Sequence, residues 1–328
     1  MDSFLFALGA VAPIVLMVLV GYFLKRLGYM NERFAKEANR LVFRIFMPVM
    51  LFLNIYRIES FADFEFGFIL YVVVALLVIF LVSIPLSIAV TGQKSRRGVL
   101  VQAAYRSGYS LIGIPLAESL YGEVGAIAAT LLSAAVIPLF NVLAIICLSM
   151  NSESGEKPSV GKILLDIIKN PLIIGIAAGL VAVGIRALFV RWGVSFRLAD
   201  VGPFMSFLQY ISNLAIPLAL LVLGAQFELS AVSAMRREII VGTVVRTVIV
   251  PLLAIGVACL CFRNRFNAAH FACFVSVFAT PVAVTSVPMA QEMGGDVTLA
   301  GQLVVWSTLV SALTVFLFTF VLRLIGAF

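Results

Sequence analysis

Long apolar stretches separated by short polar gaps dominate the pattern of this chain. A helix needs about 20 apolar residues to cross the hydrocarbon core of a bilayer, and the sequence contains ten stretches of that kind. Their approximate bounds are 4–24, 36–56, 66–90, 99–120, 124–149, 171–190, 203–225, 238–262, 267–291 and 298–324. The pattern therefore predicts an all-α integral membrane protein with ten transmembrane helices.

The longest polar gap, NSESGEKPS at 151–159, divides the ten spans into two sets of five. We expect a first five-helix repeat at 1–150, a cytoplasmic linker at 151–160 and a second five-helix repeat at 161–328. The segment GKILLDIIK at 161–169 reads as a short amphipathic helix leading into the sixth span. Because each half holds an odd number of spans, the second half enters the membrane upside down relative to the first.

Composition and charge agree with a location in lipid. Hydrophobic residues make up 62% of the 328 positions and charged residues 12%, against roughly 25% charged residues in soluble domains. The net charge of +7 comes from basic residues in the gaps and not from a basic stripe with interleaved aromatics, which argues against nucleic acid as a partner. Thirteen basic residues in one set of alternate loops, against seven in the other, place both termini outside the cytoplasm. We expect a multi-pass protein of the cell inner membrane.

The sequence offers little for metal or covalent chemistry. Its four cysteines lie in or beside apolar runs without metal-ligand spacing, and His270 is the one histidine of the chain. We therefore expect no metal site and no cofactor. An enzyme would need a nucleophile–base pair, and no acid lies near His270 in the sequence.

A shared pattern in the fourth and ninth spans indicates an inverted repeat. The segments IGIPLAESLYGEVGA (112–126) and TSVPMAQEMGGDVTL (285–299) align when Pro115 is placed on Pro288. The same alignment pairs Leu116 with Met289, Ala117 with Ala290, Leu120 with Met293, Gly122 with Gly295, Glu123 with Asp296 and Val124 with Val297, and the first and sixth spans pair Pro13 with Pro171 and Gly21 with Gly179. The alternative is two similar helix ends with ordinary Gly-Asp turns.

Both matched spans contain helix-breaking residues. Gly108, Gly113 and Pro115 fall inside the fourth span, and Pro281 and Pro288 inside the ninth. Gly- and Pro-interrupted helices at matching positions of an inverted repeat are typical of the binding site of a secondary transporter. Thr280-Pro281 also has the order of an N-cap and a first helical residue, which would aim a positive helix end at the midplane and favour an anion. The alternative is that these prolines only kink packed helices.

Several polar residues lie close to the two breaks. Arg106 is a candidate for attracting an anion, although a long arginine side chain can also snorkel to the headgroups. For Arg44 and Arg246, which also fall inside spans, the structural interpretation is the stronger one. Hydroxyl groups cluster at the same two breaks, and they either line a polar cavity or hydrogen-bond a neighbouring backbone carbonyl. These hydroxyl residues are Ser107, Ser110, Thr280, Thr285 and Ser286.

Five segments together resemble the auxin efflux carrier family in its bacterial form, within a wider group of ten-helix carriers that includes the bile-acid-type sodium symporters. They are GYFLKRLGYMNERFAKEANRLVFRIFMP (21–48), RSGYSLIGIPLAESLYG (106–122), NPLIIGIAAGL (170–180), AIPLALLVLGA (215–225) and TPVAVTSVPMAQEMGGD (280–296). The resemblance covers essentially the whole chain.

The resemblance implies a scaffold of helices 1, 2, 6 and 7, which often forms a homodimer, and a moving transport domain of helices 3–5 and 8–10. Helices four and nine would be broken and cross at the substrate. The implied substrate-binding residues are Ser107, Gly108 and Tyr109 of the fourth span, Thr280, Pro281 and Val282 of the ninth, and Asn170 and Pro171 at the start of the sixth. Gly108 departs from the asparagine that the family usually has there.

These observations favour a secondary carrier for a small organic anion, such as a mono- or dicarboxylate or an auxin-like aromatic acid. No carboxylate falls at 279–284, where the bile-acid-type relatives use an acid for sodium coupling, so a sodium-coupled symporter is the weaker alternative. A membrane sensor that binds a ligand without moving it is a further alternative. The paired helix breaks are what disfavours the sensor.

Overall fold

The computed structural model describes residues 2–58, 65–151, 160–193 and 196–327. Within these ranges the regular structure is helical, apart from one isolated β-bridge. The helices are α1 Asp2–Arg26, α2 Glu32–Tyr56, α3 Phe66–Val90, α4 Lys94–Tyr105, α5 Tyr109–Met150, α6 Val160–Lys169, α7 Pro171–Arg191, α8 Gly202–Gln226, α9 Arg236–Cys261, α10 Ala268–Ala279, α11 Ser286–Glu292 and α12 Val297–Leu324. The predicted all-α class is confirmed.

Seven helices of the described ranges are long and apolar enough to cross a membrane: α2, α3, α5, α7, α8, α9 and α12. Large apolar side chains such as Leu81, Val181 and Leu260 are exposed on these helices, as expected of surfaces that contact lipid. The chain is therefore a multi-pass membrane protein. Helix α1 covers the predicted span 4–24, whereas the count of ten spans stays a prediction.

One predicted gap between spans takes the form of a kink. Helix α5 consists of two helical segments that meet at Tyr121 and Gly122, where the sequence suggests that the fourth span ends and the fifth begins. Tyr121 and Gly122 leave helical geometry there, and Gly122 has a φ of 61°. A positive φ is a conformation that glycine adopts without steric cost, so this position turns the chain without a separate loop. The predicted lead-in helix is present as α6 Val160–Lys169.

Glycines allow four of the helices to pack at very short range. A Cβ on Gly21 of α1 would lie 2.0 Å from the Leu221 carbonyl oxygen of α8, and a Cβ on Gly224 would lie 2.0 Å from the Val18 carbonyl oxygen of α1. In the same way, Gly175 of α7 leaves no room for a Cβ against α2. Small residues at helix interfaces are a main source of packing energy in lipid, where the hydrophobic effect does not draw helices together.

A partly buried ion-pair cluster joins the amino-terminal ends of three other helices. Arg96 of α4 donates to Glu238 of α9 at 2.9 Å and to Asp296, the N-cap of α12, at 3.0 Å. The Asp296 backbone N–H also donates to the Ser95 carbonyl oxygen. These contacts hold α4, α9 and α12 in a fixed relation at one end of the bundle.

Candidate functional site

Two helical segments are interrupted inside the bundle and contact each other at the interruptions. Helix α4 ends at Tyr105 and α5 begins at Tyr109, while α10 ends at Ala279 and α11 begins at Ser286. We call residues 106–108 and 280–285 together the crossing. Ser107 and Val282 form an antiparallel bridge across it.

Backbone hydrogen bonds at the crossing replace those that the helix breaks remove. The Gly108 N–H donates to the Pro281 carbonyl oxygen at 2.8 Å, and the Ala283 N–H donates to the Arg106 carbonyl oxygen at 3.3 Å. In addition, the Val282 N–H donates to the Ser307 hydroxyl oxygen of α12 at 3.0 Å. Non-helical backbone at membrane depth requires such internal partners. The crossing is therefore a built feature of the fold.

Arg106 directs its guanidinium into this region and is 4% exposed. Its Nη2 donates to Asn141 Oδ1 at 3.2 Å and to Thr285 Oγ1 at 3.1 Å, and its Nη1 lies 2.6 Å from Met289 Sδ. All three partners are uncharged. Among the described residues, no carboxylate forms an ion pair with Arg106. A buried cation without a counter-charge is costly, and an anion bound beside Arg106 would offset that cost.

A cavity of about 50 Å³ lies beside the crossing, and we call it the crossing cavity. A single water needs roughly 10–15 Å³ of such space, so the cavity admits a small polar group. Predicted site residues line one side of it, namely Arg106, Ser107, Gly108, Tyr109, Ser110, Val282 and Thr285. Apolar residues of α1, α2 and α8 line the other side, namely Ile14, Met47, Met50, Leu51 and Ile216. The cavity thus lies between two groups of helices.

The Ser107 hydroxyl is a buried, unpaired polar group next to the crossing cavity. The residue is 3% exposed, and its Oγ has no hydrogen-bond partner within the described structure. Buried hydroxyl groups are normally paired, and an unpaired one next to a cavity is suited to a ligand. The amino-terminal end of the long helix α5, at Tyr109, adds a favourable field for an anion at the same point.

Three other predicted residues lie in the crossing or directly after it, but not in the cavity wall. The Thr280 hydroxyl donates to the Ser276 carbonyl oxygen at 2.7 Å, Pro281 supplies the carbonyl oxygen that Gly108 binds, and the Ser286 hydroxyl is buried without a partner. The interpretation of Thr280-Pro281 as a helix start is wrong. Thr280 has extended geometry and the next helix begins at Ser286, because residues 280–285 are held by the crossing.

Asn170 and Pro171 lie outside the crossing. Asn170 is the N-cap of α7, where its Oδ1 accepts from the Leu172 N–H at 2.9 Å, and Pro171 is the first residue of that helix. Both line a second, separate cavity of about 860 Å³, and charged residues form part of its wall. Its charged residues are Arg44, Lys162, Asp166, Lys169 and Glu292.

Arg44 closes part of that second cavity by an ion pair. Its Nε lies 3.2 Å from a Glu292 carboxylate oxygen at the end of α11, and its side chain is 62% exposed. Exposed pairs of this kind contribute little to stability. Arg44 thus forms an exposed ion pair, which fits the structural interpretation of its position in the sequence. Arg106, in contrast, is placed as a ligand-binding residue would be.

Arg246 is fully buried on α9, at 0% exposure, directly behind the crossing. Its guanidinium donates to backbone carbonyl oxygens, from Nε to Thr280 at 2.8 Å, from Nη2 to Val277 at 2.7 Å and from Nη1 to Ala104 at 3.2 Å. Arg246 is not part of the crossing cavity wall. Snorkelling to the headgroups is excluded for this residue, since all of its donors point inward.

Sequence reasoning missed three residues of this site, Asn141, Met289 and Ser307. Asn141 binds Arg106 from 35 positions away in the sequence, and Ser307 binds the backbone of Val282. A lone amide inside an apolar span, as at 138–141 (PLFN), was the available signal for Asn141. The methionine offers no signal of that kind, because methionines are common in apolar cores.

The fold and the crossing together define a multi-pass membrane protein with a mainly apolar cavity, lined by a few polar groups, between two groups of helices. A sequence profile of the family described as "Membrane transport protein" matches residues 6–319. The chain belongs to this family, which confirms its resemblance to the auxin efflux carriers.

Curated relatives agree with this assignment. The chain is 24% identical over 328 residues to an "Uncharacterized transporter" of Methanothermobacter thermautotrophicus, with 95% of this chain and 97% of that protein covered. It is 26% identical over 305 residues to "Uncharacterized transporter YfdV" of Escherichia coli K12, with 88% of each chain covered. Relatives of full length thus bear the general name of transporter, and the family is one of membrane transport proteins.

Proposed function

We propose that the protein is a secondary carrier that moves a small organic anion, such as a carboxylate, across the cell inner membrane by alternating access. The observation that supports this most is Arg106, a cation 4% exposed beside the crossing cavity, with no carboxylate partner among the described residues. A carboxylate bound there would form charge-assisted hydrogen bonds with the guanidinium. The Ser107 hydroxyl would donate a further one.

The helix arrangement supports a carrier built as two inverted repeats of five helices. The paired glycines of the sequence alignment have equivalent surroundings: Gly21 on the first span packs against Leu221 of α8, and Gly179 on the sixth packs against Ile55 of α2. In a repeat of five, the first span corresponds to the sixth and the second to the seventh. Equivalent contacts in both halves are what the inverted repeat requires.

The position of the crossing cavity supports a moving domain. In this proposal α1, α2, α7 and α8 form the scaffold, while α3–α5 and α9–α12 move and take the crossing with them. The polar residues of the cavity wall, such as Arg106 and Thr285, are on the moving part, together with apolar ones such as Phe140. The scaffold residues of the wall, such as Met47 and Ile216, are apolar. An anion bound to Arg106 would therefore slide past an apolar surface that forms no polar contacts with it.

Two further features belong to this proposal. Both termini would lie outside the cytoplasm, as the distribution of basic loop residues favours. The scaffold would also form a homodimer in the bilayer. No cofactor and no metal enters the proposed cycle, and the carrier has no enzymatic step.

Counterflow in proteoliposomes tests the proposal. Liposomes preloaded with each member of a panel of unlabelled mono- and dicarboxylates, including indole carboxylates, are diluted into the labelled compound. We expect saturable uptake of at least one acid by the wild type and loss of that uptake in Arg106→Met. Arg323→Met, at the exposed end of α12, is the matched control and should keep the activity.

Absence of saturable uptake across the whole panel would contradict the carrier proposal. Binding of an acid without any uptake would point to a sensor. Equal uptake by Arg106→Met and the wild type would show that the anion is not held at the crossing.

A further inference from the structure

Four backbone carbonyl oxygens converge on the guanidinium of Arg246. Ala104 and Tyr105 are the last residues of α4, and their oxygens lie 3.2 and 3.4 Å from Nη1. Val277 and Thr280 lie at the end of α10, with oxygens 2.7 and 2.8 Å from the other guanidinium nitrogens. The carboxyl ends of both interrupted segments therefore meet at one buried side chain.

The carbonyl groups in question have lost the donors that a continuous helix would supply. The last turn of α4 has no following helical N–H groups. In α10 the donor for the Val277 oxygen would be the residue four positions on, which is Pro281, and proline has no N–H. In a bilayer no water replaces such a donor. One guanidinium, with five N–H groups in a fixed plane, supplies donors to both helix ends at once.

The charges also match in magnitude. The carboxyl end of a helix acts as roughly half a negative charge, so two such ends together attract about one positive charge. Arg246 supplies one, and the ion-pair contacts of the described residues include no carboxylate at it. A pocket of convergent carbonyl oxygens is also the kind of site that binds Na⁺ or K⁺ in membrane proteins. Here a covalently attached cation fills it.

We propose that Arg246 is a tethered counter-cation and a positioning residue: it joins the two helix ends of the crossing to α9 and takes the place that a coupling cation would otherwise fill. The expected effect of Arg246 on transport rests on the proposed carrier function, whereas its expected effect on the stability of the crossing does not. Arg246 holds the crossing in one geometry throughout the cycle, and the anion binds only to Arg106 on the other side. Anion transport is then independent of Na⁺.

Thermal unfolding of the purified protein tests the tethered cation without any substrate. For the wild type we expect the same midpoint in NaCl, KCl and choline chloride at equal ionic strength. Arg246→Ala should unfold at a lower temperature, and Na⁺ or Li⁺ should restore part of the loss, while choline, which is too large for the vacated space, should not.

A partly buried arginine that also binds backbone carbonyl oxygens, Arg186, serves as the control for this effect. Arg186 of α7 also donates to backbone carbonyl oxygens, those of Tyr56 and Ile58, but at the end of a single helix. Arg186→Ala should lower the midpoint equally in all three salts. A Na⁺-selective rise for the wild type would contradict the proposal, and so would a lowered midpoint of Arg246→Ala that no small cation raises.

Arg246→Lys keeps the charge and serves if the alanine variant does not fold. An ammonium group reaches fewer of the four oxygens than a guanidinium does. With the acid found by counterflow, we expect its maximal rate to fall about tenfold, the usual consequence of losing a charge-assisted hydrogen bond, with the KM for the acid unchanged. A raised KM at an unchanged rate would place Arg246 in the anion site and overturn the assignment.

Discussion

Two arginines lie buried on opposite sides of the crossing, and their partners differ in kind. Arg106 binds the side chains of Asn141 and Thr285, whereas Arg246 binds the carbonyl oxygens at the carboxyl ends of two helices. Neither forms an ion pair with a carboxylate of the described residues. Both sites therefore hold a buried arginine, and they differ in the groups that the guanidinium contacts.

The comparison shows what makes a buried cation available to a ligand. Two helix ends offset most of the charge of Arg246, and they occupy its donors. An amide and a hydroxyl group offset far less charge, so Arg106 retains a strong preference for an anion. The crossing cavity lies against Arg106 and not against Arg246. Variants that change the partners of these arginines therefore test whether Arg106 binds the anion.

The largest effect is expected when Arg106 is given a counter-charge. Asn141→Asp would place a carboxylate about where the amide oxygen now lies, 3.2 Å from Nη2. An internal ion pair would then compete with the substrate, and we expect the KM of the acid to rise about 100-fold or more. Counterflow at varied concentration measures this.

Asn141→Leu is the control for that variant. It removes the hydrogen bond to Arg106 without adding a charge, so its effect on the KM should be smaller than that of the aspartate. If the two variants behave alike, the charge of Arg106 is not what binds the anion.

A larger side chain at Gly113, where α5 packs against α10, should give the next largest effect. A Cβ on Gly113 would lie 2.7 Å from the Tyr109 ring and 2.8 Å from the Ser276 carbonyl oxygen. Gly113→Val should therefore push α5 away from α10, lower the unfolding midpoint by several degrees and reduce transport. Differential scanning fluorimetry measures the first quantity. Gly184→Val, on α7 with open space around it, should change neither, and equal effects of both variants would refute this packing argument.

Removal of the free hydroxyl should give a moderate effect. Ser107→Ala deletes one neutral donor beside the cavity and leaves the bridge to Val282 in place, because that bridge is made by the backbone. The KM for the acid should rise about three- to tenfold, as expected for one hydrogen bond of about 1 kcal/mol. An unchanged KM would mean that this hydroxyl does not reach the ligand.

The smallest effect is expected at Gly108. Its φ of −71° suits any residue, and an added Cβ would be 3.6 Å from the Pro281 carbonyl oxygen, an ordinary contact. Gly108→Ala should therefore fold and transport almost as the wild type does.

Apolar runs of about 20 residues were sufficient to predict most of the fold. The predicted span 66–90 coincides with α3 Phe66–Val90, and α8 Gly202–Gln226 differs from 203–225 by one residue at each end. Lipid imposes this regularity because each span must satisfy its own backbone. The glycines and prolines that interrupt helices also indicated where the two breaks lie.

Long-range contacts explain what local patterns did not predict. Thr280-Pro281 resembles a helix start, but pairing with residues 106–108 keeps residues 280–283 out of helical geometry. A turn at Val284 and Thr285 then leads into the helix that begins at Ser286. The partners of Arg106 come from α5 and from beyond α10, and no local spacing brings them together. Asn170 was placed at the substrate by the family resemblance, whereas its side chain caps α7 at a different cavity.

The most direct test of the central claim compares a substrate acid with its neutral amide on the wild type and two variants. Binding of both compounds is measured by thermal shift or isothermal titration on the wild type and on Arg106→Gln, with Arg246→Lys as a second reference. The account predicts that the wild type and Arg246→Lys prefer the acid by tenfold or more, about the value of a charge-assisted pair, and that Arg106→Gln loses this preference. A preference that survives in Arg106→Gln, or that vanishes in Arg246→Lys, would contradict it.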